Sequence, residues 1–267
     1  MIGVTLLLAS LAASQGQALE IVLPHEPGLT SAAVEWDGRT AAFVREGSQW
    51  LALIGIDLEA LPGTHVAKIR MRFDDQRTET RDQKIEVAAS SFPTTHLKVE
   101  PRYVELSPED AARSAREDQT IAAIYATTTP ERLWHEPFSA PLDGVGGGRN
   151  FGHRRVFNGA PRAPHSGADL TATTGTPVRA ANRGRVVLSQ DLFFSGNAVF
   201  LDHGMGVYSV YLHLSEIQVR EGEVVEQGGV VGLAGATGRV TGPHLHWGVR
   251  VLGARVDPFT LLSLDRE

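Results

Sequence analysis

The stretch Pro243-His244-Leu245-His246-Trp247-Gly248-Val249-Arg250-Val251 reads as a β run entered through a turn. Residues two apart on a strand face the same way, so His244 and His246 project their imidazoles from one face. Trp247 alternates away from them, towards a core. Two such imidazoles can meet one ion, or one can bind while its neighbour works beside it. Working outward, apolar runs at 176–181, 184–189, 198–202, 207–212 and 230–234 are further strand candidates. Gly196-Asn197, Gly204-Met205-Gly206 and Gly228-Gly229 supply turns between them. Apart from a short turn at 215–218, no helical period is evident, and an antiparallel all-β unit is expected.

A second pair lies in His165-Ser166-Gly167-Ala168-Asp169. In extended chain, positions i and i+4 share a face, with Gly167 letting the backbone bend between them. Two imidazoles and a carboxylate form the ligand set of a catalytic zinc site whose fourth position stays open. The chain has no cysteine, which excludes disulfides, thiolate zinc sites, iron–sulfur clusters and a cysteine nucleophile. Any metal must be held by His, Asp and Glu. With 42% hydrophobic and 21% charged residues the chain has material for a core. A net charge of −6 argues against a general nucleic-acid-binding surface.

Residues 1–18 read as a signal peptide. The run from Ile2 to Ala13 is apolar but too short for a bilayer span, and Gly16-Gln17-Ala18 suits cleavage after Ala18. No Lys or Arg precedes the run. The remainder, with no membrane span, is expected to be periplasmic or otherwise exported. Charge then divides the chain: residues 1–144 hold 13 Lys and Arg against 21 Asp and Glu, whereas 145–267 hold 12 against 10. The shift falls at Gly144-Val145-Gly146-Gly147-Gly148, a run suited to a boundary. Short strand candidates between Pro-Gly and Asp-Gly turns predict a small β-sandwich over 19–105. Ser107-Pro108-Glu109-Asp110 opens a helix reaching about Ala126, within a linking segment 106–138. Residues 139–267 form the catalytic unit in this reading.

Residues 149–258 resemble the M23 (LytM/lysostaphin-like) zinc peptidases. The segments that carry the resemblance are Phe151-Gly152-His153-Arg154, His165 to Asp169, Gly175-Thr176-Pro177-Val178, Asp202-His203-Gly204, Tyr211-Leu212-His213-Leu214, and Gly238 through His246. The resemblance implies one zinc ion per chain, with His165, Asp169 and His246 as ligands and His213 and His244 as catalytic histidines. It implies hydrolysis of peptide stems or cross-links of bacterial peptidoglycan, with an envelope regulatory protein as a further partner. His203 reads as structural and His153 as a rim residue, while Arg154 and Arg155 either touch substrate carboxylates or lie in a solvated turn. The alternative is a non-catalytic LytM-type activator of cell-wall amidases, against which the complete set of five residues argues. A lipoyl-type carrier fails, because no lysine follows Lys98. The acidic first unit either lies across the catalytic groove or acts as a spacer or targeting module.

Overall fold

The computed structural model describes residues 10–144 and 147–264. Residues 1–9 of the expected signal peptide, and Val145 and Gly146 of the glycine run, lie outside them. The first half contains β1 (Leu11–Ser14), β2 (Ala18–Leu23), β3 (Leu29–Trp36), β4 (Arg39–Ala42), β5 (Val44–Glu46), β6 (Gln49–Gly55), β7 (Gly63–Phe73) and β8 (Thr78–Ala88). They form the expected sandwich from one sheet ordered β1-β8-β7-β3-β4 and another ordered β2-β6-β5. Period-2 patterning builds it: Ala67, Ile69, Met71 and Phe73 of β7 are buried, while Lys68, Arg70 and Arg72 between them face solvent.

Part of the stretch read as a signal peptide lies within the described fold. Leu11–Ser14 pairs in parallel with β8, Leu11 opposite Ile85 and Ala13 opposite Val87, and Ala13 is buried. Gly16 donates its N–H to Ile56 (2.9 Å), and its carbonyl accepts from Asp257 (2.7 Å). Cleavage after Ala18 would remove a strand of the sandwich. A short Leu/Ala run followed by small residues looks the same in sequence whether it is a leader or an edge strand, and in this structure residues 11–14 are paired as a strand.

The Ser107 hydroxyl accepts from the Asp110 N–H (3.1 Å) and caps α1 (Pro108–Ala126). Its Ile121, Ile124 and Tyr125 pack on Leu188, Leu192, Ala198, Phe200 and Val210. The helix therefore lies against the second half. That half contains β10 (Arg154–Phe157), β11 (Ala160–Arg162), β12 (Gly167–Thr171), β13 (Pro177–Arg179), β14 (Gly184–Leu192), β15 (Gly196–Gly204) and β16 (Val207–Leu214). There follow β17 (Glu216–Ile217), β18 (Val224–Val225), β19 (Val230–Leu233), β20 (His244–Val251), β21 (Ala254–Val256) and α2 (Pro258–Leu261).

The main sheet is antiparallel, ordered β12-β20-β16-β15-β14-β18 with β21 on β20, and a smaller sheet runs β13-β19-β17. The expected turn at 215–218 contains the short strand β17. A further sheet crosses the expected domain boundary: β9 (Thr94–Leu97), which precedes the helix, pairs in parallel with β10 in the order β11-β10-β9. One buried apolar cluster joins the halves, including Ile54 and Ile56 with Val251, Val256 and Leu261. Gly55 sits at this contact, where a Cβ would lie 2.6 Å from the Val251 carbonyl oxygen. Among the described residues no helix is long and apolar enough to cross a membrane.

Candidate metal centre

The site grows from the β12–β20 pair. Asp169 lies directly opposite His246, Thr171 opposite His244, and Gly167 opposite Gly248. Alternation sends Ala168, Leu170, Leu245 and Trp247 into the core, leaving the carboxylate and both imidazoles on the other face. Gly167 has a different use from the bend expected of it. It is an ordinary strand residue, and a Cβ there would lie 2.6 Å from His246 Nε2. The missing side chain is the space His246 occupies.

Three side-chain atoms converge. His165 Nε2 is 2.8 Å from His246 Nδ1 and 3.0 Å from Asp169 Oδ1, and His246 Nδ1 is 2.9 Å from the same oxygen. His165 Nδ1 donates to the Asn150 carbonyl (2.9 Å), which leaves its Nε2 lone pair bare. A tetrahedral ion bound at about 2.0–2.1 Å places its ligand atoms roughly 3.3–3.4 Å apart, so a small outward adjustment would admit one. The donor set, two imidazole nitrogens and one carboxylate oxygen, fits such an ion.

Electrostatics favour the ligand forms. Burial lowers His165 to about 4, against the opposing hydrogen bond to Asp169, and burial also lowers His246. Both rings are therefore neutral near pH 7. Burial would raise Asp169, but the imidazole nitrogens of His165 and His246 beside it outweigh burial and hold the carboxyl well below the usual range. Its Oδ2 accepts from Asn150 Nδ2 (2.9 Å) and Arg155 Nη2 (3.0 Å). Asn150 Oδ1 also accepts the Asp169 N–H (3.0 Å).

His213 and His244 stand beside this triad, their ring centres 5.0 Å apart, and His213 is 6.1 Å from His246. Plain alternation after Tyr211 would turn His213 to the core face. One extra residue on β16 opposite Asn197–Val199, and a left-handed φ of 64° at His213, re-aim it. That backbone conformation costs about 1–3 kcal/mol. The Thr237 carbonyl accepts from His213 Nδ1 and the Ser195 carbonyl from its N–H, both at 2.9 Å. Burial, reinforced by His246 and His244, lowers His213 to about 3. His244 Nδ1 donates to the Gly242 carbonyl (2.8 Å), and its Nε2 is 3.6 Å from Asp169 Oδ1.

His203 lies apart, fully buried, with its nitrogens 2.8 Å from the Arg183 carbonyl and the Ser209 hydroxyl. His153 sits at the edge of the groove, 2.8 Å from the Thr95 hydroxyl. Arg155 is on Asp169, while Arg154 is exposed. Sequence reasoning passed over Asn150, Arg162 and Arg239. Asn150 adjoins the Phe151-Gly152-His153 segment, the only sequence cue it has. A cavity of about 490 Å³ opens on Asp169 and His244 and is walled by Thr95 and Leu97 of β9. A second, of about 420 Å³, touches His165 and His213 and is walled by Tyr103, Val104 and Leu106. These walls come from the segment that follows the acidic sandwich.

Residues 163–258 match the model of peptidase family M23. The peptidoglycan DD-endopeptidase ShyA of Vibrio cholerae is 44% identical over 109 residues, 40% of this chain and 25% of that protein. The DD-carboxypeptidase/endopeptidase Mpg of Neisseria meningitidis is 43% identical over 97 residues, 36% of this chain and 22% of that one. The matches thus span about a quarter of these relatives' lengths. A crystal structure from Pseudomonas aeruginosa assigned to peptidase M23 superposes with a TM-score of 0.67 at 32% identity. It covers 93% of this chain and 94% of its own, and on that whole-length likeness the protein belongs to peptidase family M23.

Proposed function

We propose that this protein is a zinc metalloendopeptidase that hydrolyses peptide stems or cross-links of bacterial peptidoglycan. The observation that carries the reading is the convergence of His165, Asp169 and His246 on one point with His213 and His244 beside it. Likeness to peptidoglycan DD-endopeptidases over this segment supports the substrate class. That substrate lies outside the cytoplasmic membrane, which supports an exported, periplasmic location.

His165 and His246, both neutral, and the ionised Asp169 would hold the zinc. When bound, zinc lowers the pKa of its water towards about 7 and polarises a scissile carbonyl. His213 and His244 each commit Nδ1–H to a backbone carbonyl, so each offers an unprotonated Nε2. An Nε2 that takes the proton of the attacking water becomes a donor for the developing oxyanion or the leaving amine. Asn150 and Arg155 hold Asp169 Oδ2, leaving Oδ1 turned to the imidazoles.

The test is digestion of purified peptidoglycan by the zinc-loaded chain, with released muropeptides identified by mass spectrometry. Peptide-bond cleavage is expected, falling roughly 10²-fold or more in His213→Ala or His244→Ala while zinc is retained. An intact peptide network, together with faster hydrolysis by an added cell-wall amidase, would instead establish the activator reading.

A further inference from the structure

The cavity beside His165 and His213 is lined by Arg155, Arg162 and Arg239. Arg155 and Arg162 are direct cross-strand partners on the β10–β11 hairpin, a like-charge pairing that weakens a sheet. Arg239 reaches in from the loop before β20, its guanidinium carbon 4.4 Å from the Phe194 ring centre and 4.7 Å from that of Phe157. Burial, with Arg155 and Arg162 adding repulsion, lowers it to about 10.

Counter-charge is scarce. Among the described residues, the one carboxylate that accepts from these guanidiniums is Asp169, bonded to Arg155 and already committed to the histidines. Arg162 Nη2 donates to the Val104 carbonyl (3.1 Å), but its Nε is buried without a partner. Among the described residues, no side-chain or backbone oxygen accepts from the Arg239 guanidinium. Cations withdrawn from water and left unpaired are costly. A planar anion entering the cavity would satisfy them, and a guanidinium fork matches a carboxylate.

We propose that this cavity is a carboxylate subsite, in which Arg239 and Arg162 bind a free carboxylate flanking the scissile amide of the substrate. The inference rests on the peptidase reading above and adds the selectivity rule: a peptide bearing that carboxylate is preferred over its amidated twin. Arg155 braces Asp169 at the border between subsite and metal triad. Tyr103, Val104 and Leu106 close the cavity from the linking segment.

The experiment uses the full zinc-loaded chain and two wall-type peptides that differ only in a carboxylate or carboxamide next to the scissile bond. The parent should favour the carboxylate peptide by at least about 10-fold in kcat/KM, mainly through KM. In Arg239→Gln and Arg162→Gln the ratio should collapse to within about twofold, and Arg239→Lys should recover part of it. The ratio is taken on one protein sample, so loss of folded or metal-loaded protein cancels. Equal turnover of both peptides by the parent, or an undiminished ratio in both Gln variants, would overturn the subsite. If the parent cuts neither peptide, the peptidase reading fails separately, and calorimetric binding of the same pair decides. Tighter carboxylate binding that Arg239→Gln abolishes supports the subsite, and equal binding rejects it.

Discussion

Asn150 makes three bonds that converge on the first proposed ligand pair. Its carbonyl fixes the His165 ring, its amide nitrogen holds Asp169 Oδ2, and its amide oxygen takes the Asp169 N–H. The carbonyl would survive substitution, but the two side-chain bonds would go. Asn150→Ala should therefore weaken metal binding about 10–100-fold with the fold intact, measured by competition against a chromophoric chelator. Unchanged affinity would show that Asp169 needs no such support. Gly167 acts by absence. The Cβ of Gly167→Ala would lie 2.6 Å from both His246 Nε2 and the Trp247 carbonyl oxygen, so His246 or β20 must shift. Loss of stoichiometric metal is expected by elemental analysis, and full occupancy would show that the strand yields without moving the ring.

The strands explain which features the sequence disclosed. In β7 buried and exposed residues alternate, and in β20 the polar His244, His246 and Arg250 are interleaved with apolar residues, so both strands and the face carrying His244 and His246 were legible. β10 and β11 carry Arg-Arg-Val-Phe and Ala-Pro-Arg, with no apolar period, so they and their paired arginines were not. The family segment marked His213, but the bulge that aims it depends on pairing with β15, which no local pattern records. His203 presents the same element from its buried side. Burial lowers it to about 4, below the ordinary value of about 6.5. The unfolded chain then binds protons that the folded chain refuses. Stability from the neutral ring is complete above about pH 6.5 and is lost as pH falls towards 4. Buried His165, His213 and His246 act in the same direction. His203→Gln should give a shallower decline in denaturation midpoint across that window than the parent, and an unchanged slope would acquit His203 of any part in acid lability.

At the scale of the molecule, the two halves are joined by charge as well as by their common core. Arg255 on β21 grips Asp57 through Nε (2.9 Å), Nη2 (2.5 Å) and its own N–H (2.9 Å), and reaches Glu59 at 2.6 Å. Asp57→Ala would leave a half-buried guanidinium underused, at a cost of about 1–3 kcal/mol. Because the apolar cluster is continuous across the halves, calorimetry should show one transition that moves down by roughly 2–10 °C. Two separated transitions would mean that the halves unfold independently. The parallel pairing of β9 with β10 has a consequence for modular exchange. A catalytic half grafted onto a foreign protein from residue 139 would arrive with β10 unpaired along one edge. It would lack Thr95 and Leu97 in one groove wall, Tyr103 in the other, and the Val104 carbonyl that steadies Arg162. The transplantable unit starts ahead of Thr94, and a chimera joined at the glycine run would inherit the histidines without the walls of the cavities beside them.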